Sequence, residues 1–190
     1  MKDMYMCEIW SVLKTSHGNA ILLKPRDMEV AVPIFIGNPE MQSILIAKEG
    51  MKLSRPQTHD LFLNMLSHVN LSVKKAEVYE LKDDVFHARL VITGGEYTLE
   101  KPLVLDSRPS DAFAIAVRKK CPIYMASSVI EQTGVPLAFF INDLEESEKP
   151  DRHSSLREQL EQAVAEEEYE QAAEIRDLLR MLEDEEDFFD

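Results

Sequence analysis

The sequence predicts an α+β domain with a mixed β-sheet and an internal duplication, followed by a C-terminal α-helical hairpin. Two groups of three strand-like segments are each followed by helical segments. A polar, charged segment then precedes two amphipathic helical patterns. The predicted organisation is therefore a domain over residues 1–142, a linker over 143–153 and a helical hairpin over 154–187.

The first half of the domain is predicted to contain three strands and two helices separated by turn residues. The helix after Arg55-Pro56 is expected to begin with Thr58 as its N-cap, because a hydroxyl can accept a free backbone N–H. The apolar side chains of this helix recur at helical spacing and are expected to face the core. They are Leu61, Phe62, Met65, Leu66 and Val69. The expected strands are 4–16, 20–23 and 30–36, and the expected helices are 40–49 and 61–69.

The second half repeats this order, with turns at Lys82-Asp83-Asp84 and Gly94-Gly95. Its first helix begins at Pro109, which costs little at a helix start. Ser107 or Ser110 could cap this helix, and Asp111 in its first turn suits the positive helix end. The expected strands are 72–81, 86–93 and 97–105, and residues 122–126 form a short strand or an extended link. The expected helices are 109–120 and 127–134.

An internal duplication is suggested by two helix starts of the same type. Arg55-Pro56 precedes a helix with Asp60 in its first turn, and Arg108-Pro109 precedes one with Asp111. The spacing differs by two residues, so independent helix-start chemistry explains the pattern equally well.

Composition limits the classes of function. The net charge is −14, but residues 1–142 are neutral and the whole excess lies in 143–190. A neutral domain lacks the basic surface of most nucleic-acid binders, so phosphate binding would need a local cluster of cationic side chains.

Two distant cysteines form neither a disulfide framework nor a zinc site. No stretch approaches the roughly 20 apolar residues of a membrane span, so a cytoplasmic protein with no membrane contact is expected.

Three motifs in residues 5–135 resemble the bifunctional nuclease domain family. They are Pro33-Ile34-Phe35-Ile36-Gly37 followed by Glu40, then Arg55-Pro56-Gln57-Thr58-His59-Asp60-Leu61, and Leu105-Asp106-Ser107-Arg108-Pro109-Ser110-Asp111-Ala112. The resemblance implies a nuclease that acts on both DNA and RNA with little sequence preference. It assigns no catalytic residue.

Residues 154–185 resemble the UVR motif, a helical hairpin of the excision-repair nuclease subunits UvrB and UvrC. The matching run begins at Leu156-Arg157-Glu158-Gln159-Leu160 and continues through Glu168-Tyr169-Glu170 to Ile175-Arg176-Asp177. The resemblance implies a protein partner that binds through residues 154–187.

The chemistry of phosphodiester hydrolysis selects candidates from these motifs. Histidine and carboxylates can move protons, which makes His59, Asp60, Asp106 and Asp111 the catalytic candidates. Guanidinium and helix-start groups bind phosphate, which selects Arg55, Arg108 and Ser110. A divalent metal such as Mg²⁺ remains open, with Asp106, Asp111 and Glu40 as candidate ligands.

Each candidate also has a structural explanation, in which the carboxylates cap helices and the arginines form ion pairs. A second hypothesis follows, in which the chain is a non-catalytic regulatory or scaffold protein that recruits a partner through the hairpin. Formation of a homo-oligomer is expected and fits either hypothesis.

Overall fold

The computed structural model describes residues 3–15, 18–94 and 101–140, together with residues 160 and 176. The chain divides into two compact units, Met1–Ile141 and Asn142–Asp190. The predicted linker and most of the predicted hairpin lie outside the described residues, although Leu160 and Arg176 are helical. None of the helices in the described ranges is long and apolar enough to cross a bilayer.

The first unit is α+β, as predicted, with one eight-stranded sheet and four α-helices in its described part. The strands are β1 (Met4–Thr15), β2 (Gly18–Pro25), β3 (Val30–Ile36), β4 (Leu71–Lys82), β5 (Val85–Gly94), β6 (Leu103–Ser107), β7 (Ile123–Ala126) and β8 (Val135–Pro136). The helices are α1 (Asn38–Lys48), α2 (Thr58–His68), α3 (Pro109–Lys119) and α4 (Ser127–Thr133). The short strand β8 was not predicted.

The sheet is mixed, which confirms the predicted class. Its strand order is β6-β5-β4-β7-β1-β2-β3-β8. Neighbours are antiparallel except β4 and β7, which are parallel. Strands β1 to β3 and strands β4 to β6 are therefore two antiparallel meanders, and β7 joins them in the middle of the sheet.

The turn between β4 and β5 lies where the sequence predicts it. Asp83 and Asp84 have φ angles of 50° and 59°. Two consecutive residues with positive φ suit a two-residue hairpin, because such a turn twists in the same sense as the strands. Aspartate tolerates this conformation better than most residues.

Helix α3 lies at the centre of the packing. It contacts α1, α2, β4 and β5, and its residues 112–116 are buried. Alanines at 112, 114 and 116 let the helix approach the sheet closely, while Phe113 is fully buried. Burial of one such side chain stabilises the fold by roughly 1.5–3 kcal/mol.

The structure corrects the predicted helix starts. The N-cap of α2 is Gln57, not Thr58, and Gln57 forms a capping box with Asp60. No side chain caps α3, whose N-cap residue is Arg108. Neither Ser107 nor Ser110 therefore caps this helix. The local sequence does not decide which residue is the N-cap of α2 or of α3, because the neighbouring residues at each helix start are all tolerated there.

The predicted apolar face of α2 is only partly correct. Leu66 is buried, and Phe62 packs against the core. Leu61, Met65 and Val69, here called the α2 stripe, are each at least 51% exposed. The apolar residues of α2 span more of its circumference than the core covers.

The sheet face opposite Ala76 and Leu90 carries a buried carboxylate. Glu77 is only 4% exposed and contacts Lys75 Nζ at 2.5 Å and Arg89 Nε at 2.6 Å. Burial alone would raise the pKa of Glu77, but hydrogen bonds and charges from Lys75 and Arg89 outweigh burial and leave it below its ordinary value.

Replacing Glu77 by glutamine is expected to lower the free energy of unfolding at pH 7 by about 1–2 kcal/mol, since both cations are partly solvated. The depressed pKa means that this contribution is present above the ordinary glutamate pKa of about 4.3 and is lost as the pH falls through the folded-state value. Urea unfolding from pH 7 to pH 3 should show the two proteins converging in acid. Glu131→Gln, at an exposed position on α4, is the control. Equal stability at pH 7 would contradict the assignment.

Candidate active site

The first turns of α1, α2 and α3 bring the predicted motifs together. Glu40 lies in the first turn of α1, Asp60 in that of α2 and Asp111 in that of α3. Carboxylates are favoured there because the N-terminal end of a helix is electropositive. Arg108 directly precedes α3, and its side chain links two of these helices.

Arg108 connects the starts of α1 and α3. Its Nε donates to Asp111 Oδ2 at 2.9 Å, its Nη2 donates to Asp111 Oδ1 at 3.4 Å, and its Nη1 donates to Glu40 Oε1 at 3.1 Å. These bonds and charges, from Asp111 first and then Glu40, raise the pKa of Arg108. The side chain remains 67% exposed, so its two unused N–H groups can reach solvent.

His59 joins this group from α2. Its Nε2 lies 3.5 Å from Asp111 Oδ1, and its Nδ1 lies 3.1 Å from Ser43 Oγ. The Ser43 hydroxyl donates to Gln57 Oε1. We assign the hydrogen of the neutral imidazole to Nδ1, as a donor to Ser43, which leaves the lone pair on Nε2, beside Asp111. Glu40, His59, Arg108 and Asp111 are called the surface cluster.

Glu40 is held in place by the turn before α1. A Cβ at Gly37 would collide with the Glu40 carboxylate. Glycine at position 37 therefore lets the carboxylate fold back over the N-terminal end of the helix. This places Oε1 within reach of Arg108.

A second group lies beneath the surface cluster and is centred on Arg118, which is 8% exposed. Its Nε donates to Asp60 Oδ1 at 3.0 Å, and its Nη1 donates to the carbonyls of Ser43 and Ala114 at 3.1 and 3.0 Å. Its Nη2 donates to Ser43 Oγ at 3.2 Å and to Gln57 Oε1. Ser43, Gln57, Asp60 and Arg118 are called the buried network.

Asp60 belongs to the buried network. Its Oδ2 accepts a hydrogen bond from the Gln57 backbone N–H at 2.9 Å, and its Oδ1 accepts from Arg118. Oδ2 thus completes the capping box of α2, and Oδ1 holds α2 against α3 through Arg118. His59 and Asp60 are adjacent in sequence but face the surface cluster and the buried network respectively.

Asp106 lies on the other face of the sheet. It is opposite Arg89 in the β5–β6 register, whereas its neighbour Leu105 packs against the core. Successive residues of a strand point to opposite faces. The Tyr79 hydroxyl donates to Asp106 Oδ1 at 3.5 Å. Burial and then the charge of Asp106 raise the pKa of Tyr79.

The two remaining phosphate-binding candidates are also outside the surface cluster. Arg55 is exposed and lines a pocket of about 550 Å³ with Lys52, Asp60 and Arg118. Ser110 is 6% exposed in the first turn of α3. In the described part of the chain, Arg108 forms ion pairs with Asp111 and Glu40, whereas none joins Arg55 to the turn at Arg108-Pro109.

The three metal-ligand candidates do not converge. Arg108 donates to both Asp111 and Glu40 and so takes the position between these carboxylates that a cation would need. Asp106 faces away from both. Within residues 3–15, 18–94 and 101–140, no three His, Cys, Asp or Glu side chains form a metal-binding group. Glu40, Asp106 and Asp111 therefore do not share one metal site among the described residues.

Sequence reasoning missed three residues that position the cluster, namely Ser43, Gln57 and Arg118. Arg118 stands next to Lys119 and Lys120 in the sequence and lies outside the three motifs. One signal was available, because Arg118 follows Asp111 by seven residues, which is about two helical turns and the same side of α3. Its neighbours Ala114 and Ile115 are buried.

Comparison with known proteins now bears on this arrangement. The family model described as "Bifunctional nuclease domain" matches residues 21–138, which contain the surface cluster and the buried network. The chain belongs to the bifunctional nuclease domain family. The UvrB/UvrC motif matches residues 151–185. Both resemblances stated from the sequence are therefore confirmed.

Proteins similar to this chain share about 30% of its residues over the aligned region. Bifunctional nuclease 1 of Arabidopsis thaliana is 30% identical over 188 residues, covering 88% of this chain and 54% of the relative. Bifunctional nuclease 2 of Oryza sativa subsp. japonica is 29% identical over 185 residues, covering 86% and 56%. An uncharacterized protein of Mycobacterium tuberculosis (strain CDC 1551 / Oshkosh) is 30% identical over 115 residues, covering 60% and 66%. This chain thus spans less than two thirds of these relatives.

Proposed function

We propose that this chain is a nuclease that hydrolyses phosphodiester bonds of DNA and RNA. The observation that carries the proposal is the continuous contact from Arg108 through Asp111 to His59 at a solvent-reachable surface. This arrangement combines a phosphate-binding guanidinium with an acid–base pair. Membership of the bifunctional nuclease family and the names of the plant relatives support it.

Arg108 is the phosphate-binding residue of the proposal. Asp111 and Glu40 hold its guanidinium on two sides, which fixes the orientation of the plane before substrate arrives. The two N–H groups not used in these bonds are then available for phosphate oxygens. No step of the proposal is assigned to a metal ion.

His59 is the proposed general base. With Nδ1 bonded to Ser43, the lone pair of Nε2 can take a proton from the attacking water. The carboxylate of Asp111, 3.5 Å from Nε2, stabilises the imidazolium that forms. Hydroxide attacks the phosphorus, the bond to the leaving oxygen breaks, and His59 returns the proton to that oxygen.

The test is the degradation of end-labelled single- and double-stranded DNA and RNA by the purified full chain, in EDTA and in Mg²⁺. Asp111→Asn is expected to lower the rate by about 100-fold or more, because the imidazolium loses its counter-charge. Asp106→Asn is the matched control on the opposite sheet face, and it should retain the rate. The reverse outcome would move the site to the Asp106 face.

The alternative is a non-catalytic regulatory or scaffold protein. It is favoured by the pairing of Glu40, Asp60 and Asp111 with arginines, as in structural ion-pair networks. Under this alternative, the wild-type protein degrades no nucleic acid, and Asp111→Asn lowers only the melting temperature.

The proposal includes four further expectations. The two meanders arose by duplication, and the protein is cytoplasmic. Residues 154–187 form a helical hairpin that binds a protein partner, and the chain is a homo-oligomer.

The α2 stripe supports self-association. Residues 61–73 contain no Asp, Glu, Lys or Arg, so two copies would meet there without charge repulsion. Light scattering of the full chain and of Met65→Glu tests this last point. A wild-type monomer would contradict it.

A further inference from the structure

A second concave surface lies away from the surface cluster. It is a pocket of about 570 Å³ formed by β1, the start of β7 and the ends of α1 and α3, which is within the usual size of small-ligand sites. Its walls are largely apolar, and three cationic side chains line it together with one carboxylate. The apolar residues include Met6, Ile9, Val117 and Pro122, the cations are Arg26, Lys48 and Lys120, and the carboxylate is Glu8.

The pocket and the surface cluster are at opposite ends of the same two helices. Glu40 and Asp111 lie in the first turns of α1 and α3, whereas Lys48 and Lys120 lie at their other ends. Each helix has 11 residues, so the two places are roughly 12–15 Å apart along the helices. The pocket is therefore separate from the proposed catalytic residues.

The three cations of the pocket outnumber its single carboxylate. In the part of the chain that the structure describes, Arg26, Lys48 and Lys120 take part in no ion pair, and Glu8 is the only carboxylate among the lining residues. Lys48 and Lys120 also suit the negative ends of their helices. Arg26 lies in the turn between β2 and β3 and has no such role. Three like charges on one concave surface favour an anionic ligand.

The backbone at Lys120 provides an independent observation. Three helices are followed by a residue with positive φ, namely Gly50 at 68°, Asn70 at 57° and Lys120 at 55°. Glycine is the favoured residue in this position because it has no Cβ to clash. Here α3 is closed by the same bonding pattern as α1, with the Cys121 N–H donating to the Ala116 carbonyl at 3.1 Å. A lysine thus occupies a position where glycine is more stable, at the edge of the pocket.

We propose that this pocket binds a phosphomonoester, with the dianionic phosphate between the three cations and the organic part against the apolar wall. A phosphate accepts charge-assisted hydrogen bonds from lysine and arginine together. The pocket is not proposed to hold a reactive thiolate. Burial raises the pKa of the Cys7 thiol to about 12 and also raises the pKa of the Cys121 thiol, so both thiols keep their protons at neutral pH. The proposal is independent of nuclease activity.

The test is calorimetric titration of the full chain with AMP and with inorganic phosphate, in EDTA and on the Asp111→Asn background. Saturable binding is expected, with AMP tighter than phosphate because only AMP contacts the wall. Lys120→Gly should weaken AMP binding by about tenfold, the value of one charge-assisted contact, without lowering the melting temperature, since glycine relieves the backbone strain.

Lys82→Ala, an exposed lysine at the end of β4, is the control and should bind AMP as the wild type does. A short oligonucleotide, titrated with and without a 5′ phosphate, distinguishes a site for the free ester from a site for a strand end. A strand-end site binds the phosphorylated oligonucleotide more tightly, and that oligonucleotide then competes with AMP. A site for the free ester shows neither effect. Absence of AMP binding, or full binding by Lys120→Gly, would overturn the proposal, whatever the outcome of the nuclease assay.

Discussion

Replacing His59 by glutamine is expected to lower the rate of phosphodiester hydrolysis by about 10²–10⁴-fold, which is the usual contribution of a general acid–base residue. Glutamine can keep a hydrogen bond to Ser43 but cannot accept and return a proton near neutral pH. The effect on KM should be small, because phosphate binding is assigned to Arg108. The measurement is the initial rate on labelled single-stranded DNA and RNA at saturating substrate.

His68→Gln is the matched control for this prediction. His68 lies on the same helix and is exposed, and its Nδ1 is 2.8 Å from the Asn64 carbonyl oxygen. It should leave the rate unchanged. Ser43→Ala adds a finer test, because it removes the contact that orients the His59 ring, and it should lower the rate. Full activity in His59→Gln would remove His59 from the mechanism.

Replacing Arg118 by alanine is expected to lower the free energy of unfolding by about 3–5 kcal/mol. One guanidinium holds α1 through Ser43, α2 through Gln57 and Asp60, and α3 through Ala114. Its removal leaves several acceptors without a donor. Because folded domains are stable by only about 5–15 kcal/mol, this is a large fraction. Thermal and urea unfolding of the full chain measure it.

Lys119→Ala controls for charge and helix position. Lys119 is the exposed neighbour of Arg118, and its loss should cost less than about 1 kcal/mol. Arg118→Lys should recover only part of the stability, since lysine keeps the charge but not the planar set of donors. If Arg118→Ala unfolds at the same urea concentration as the wild type, the buried network does not hold the three helices together.

The site was only partly predictable from sequence. The motifs around His59, Arg108 and Asp111 were found, and the structure brings these residues together. Asp106 shares a motif with them but lies on the other sheet face, since one step along a strand reverses the side chain. Arg118 lies outside every motif. Its partner Asp60 is 58 positions away, and no local pattern specifies that pairing.

The sequence by itself determined the features that depend on residues close together in the chain. Hydrophobic period and turn residues gave the α+β class, the order of strands and helices, and the turn at Asp83-Asp84, since these depend on neighbours in the chain. The tertiary structure decided which caps form, which side of α2 is exposed and which polar residues meet. Those outcomes depend on sheet register and on helix packing between distant segments, and only the folded chain fixes them.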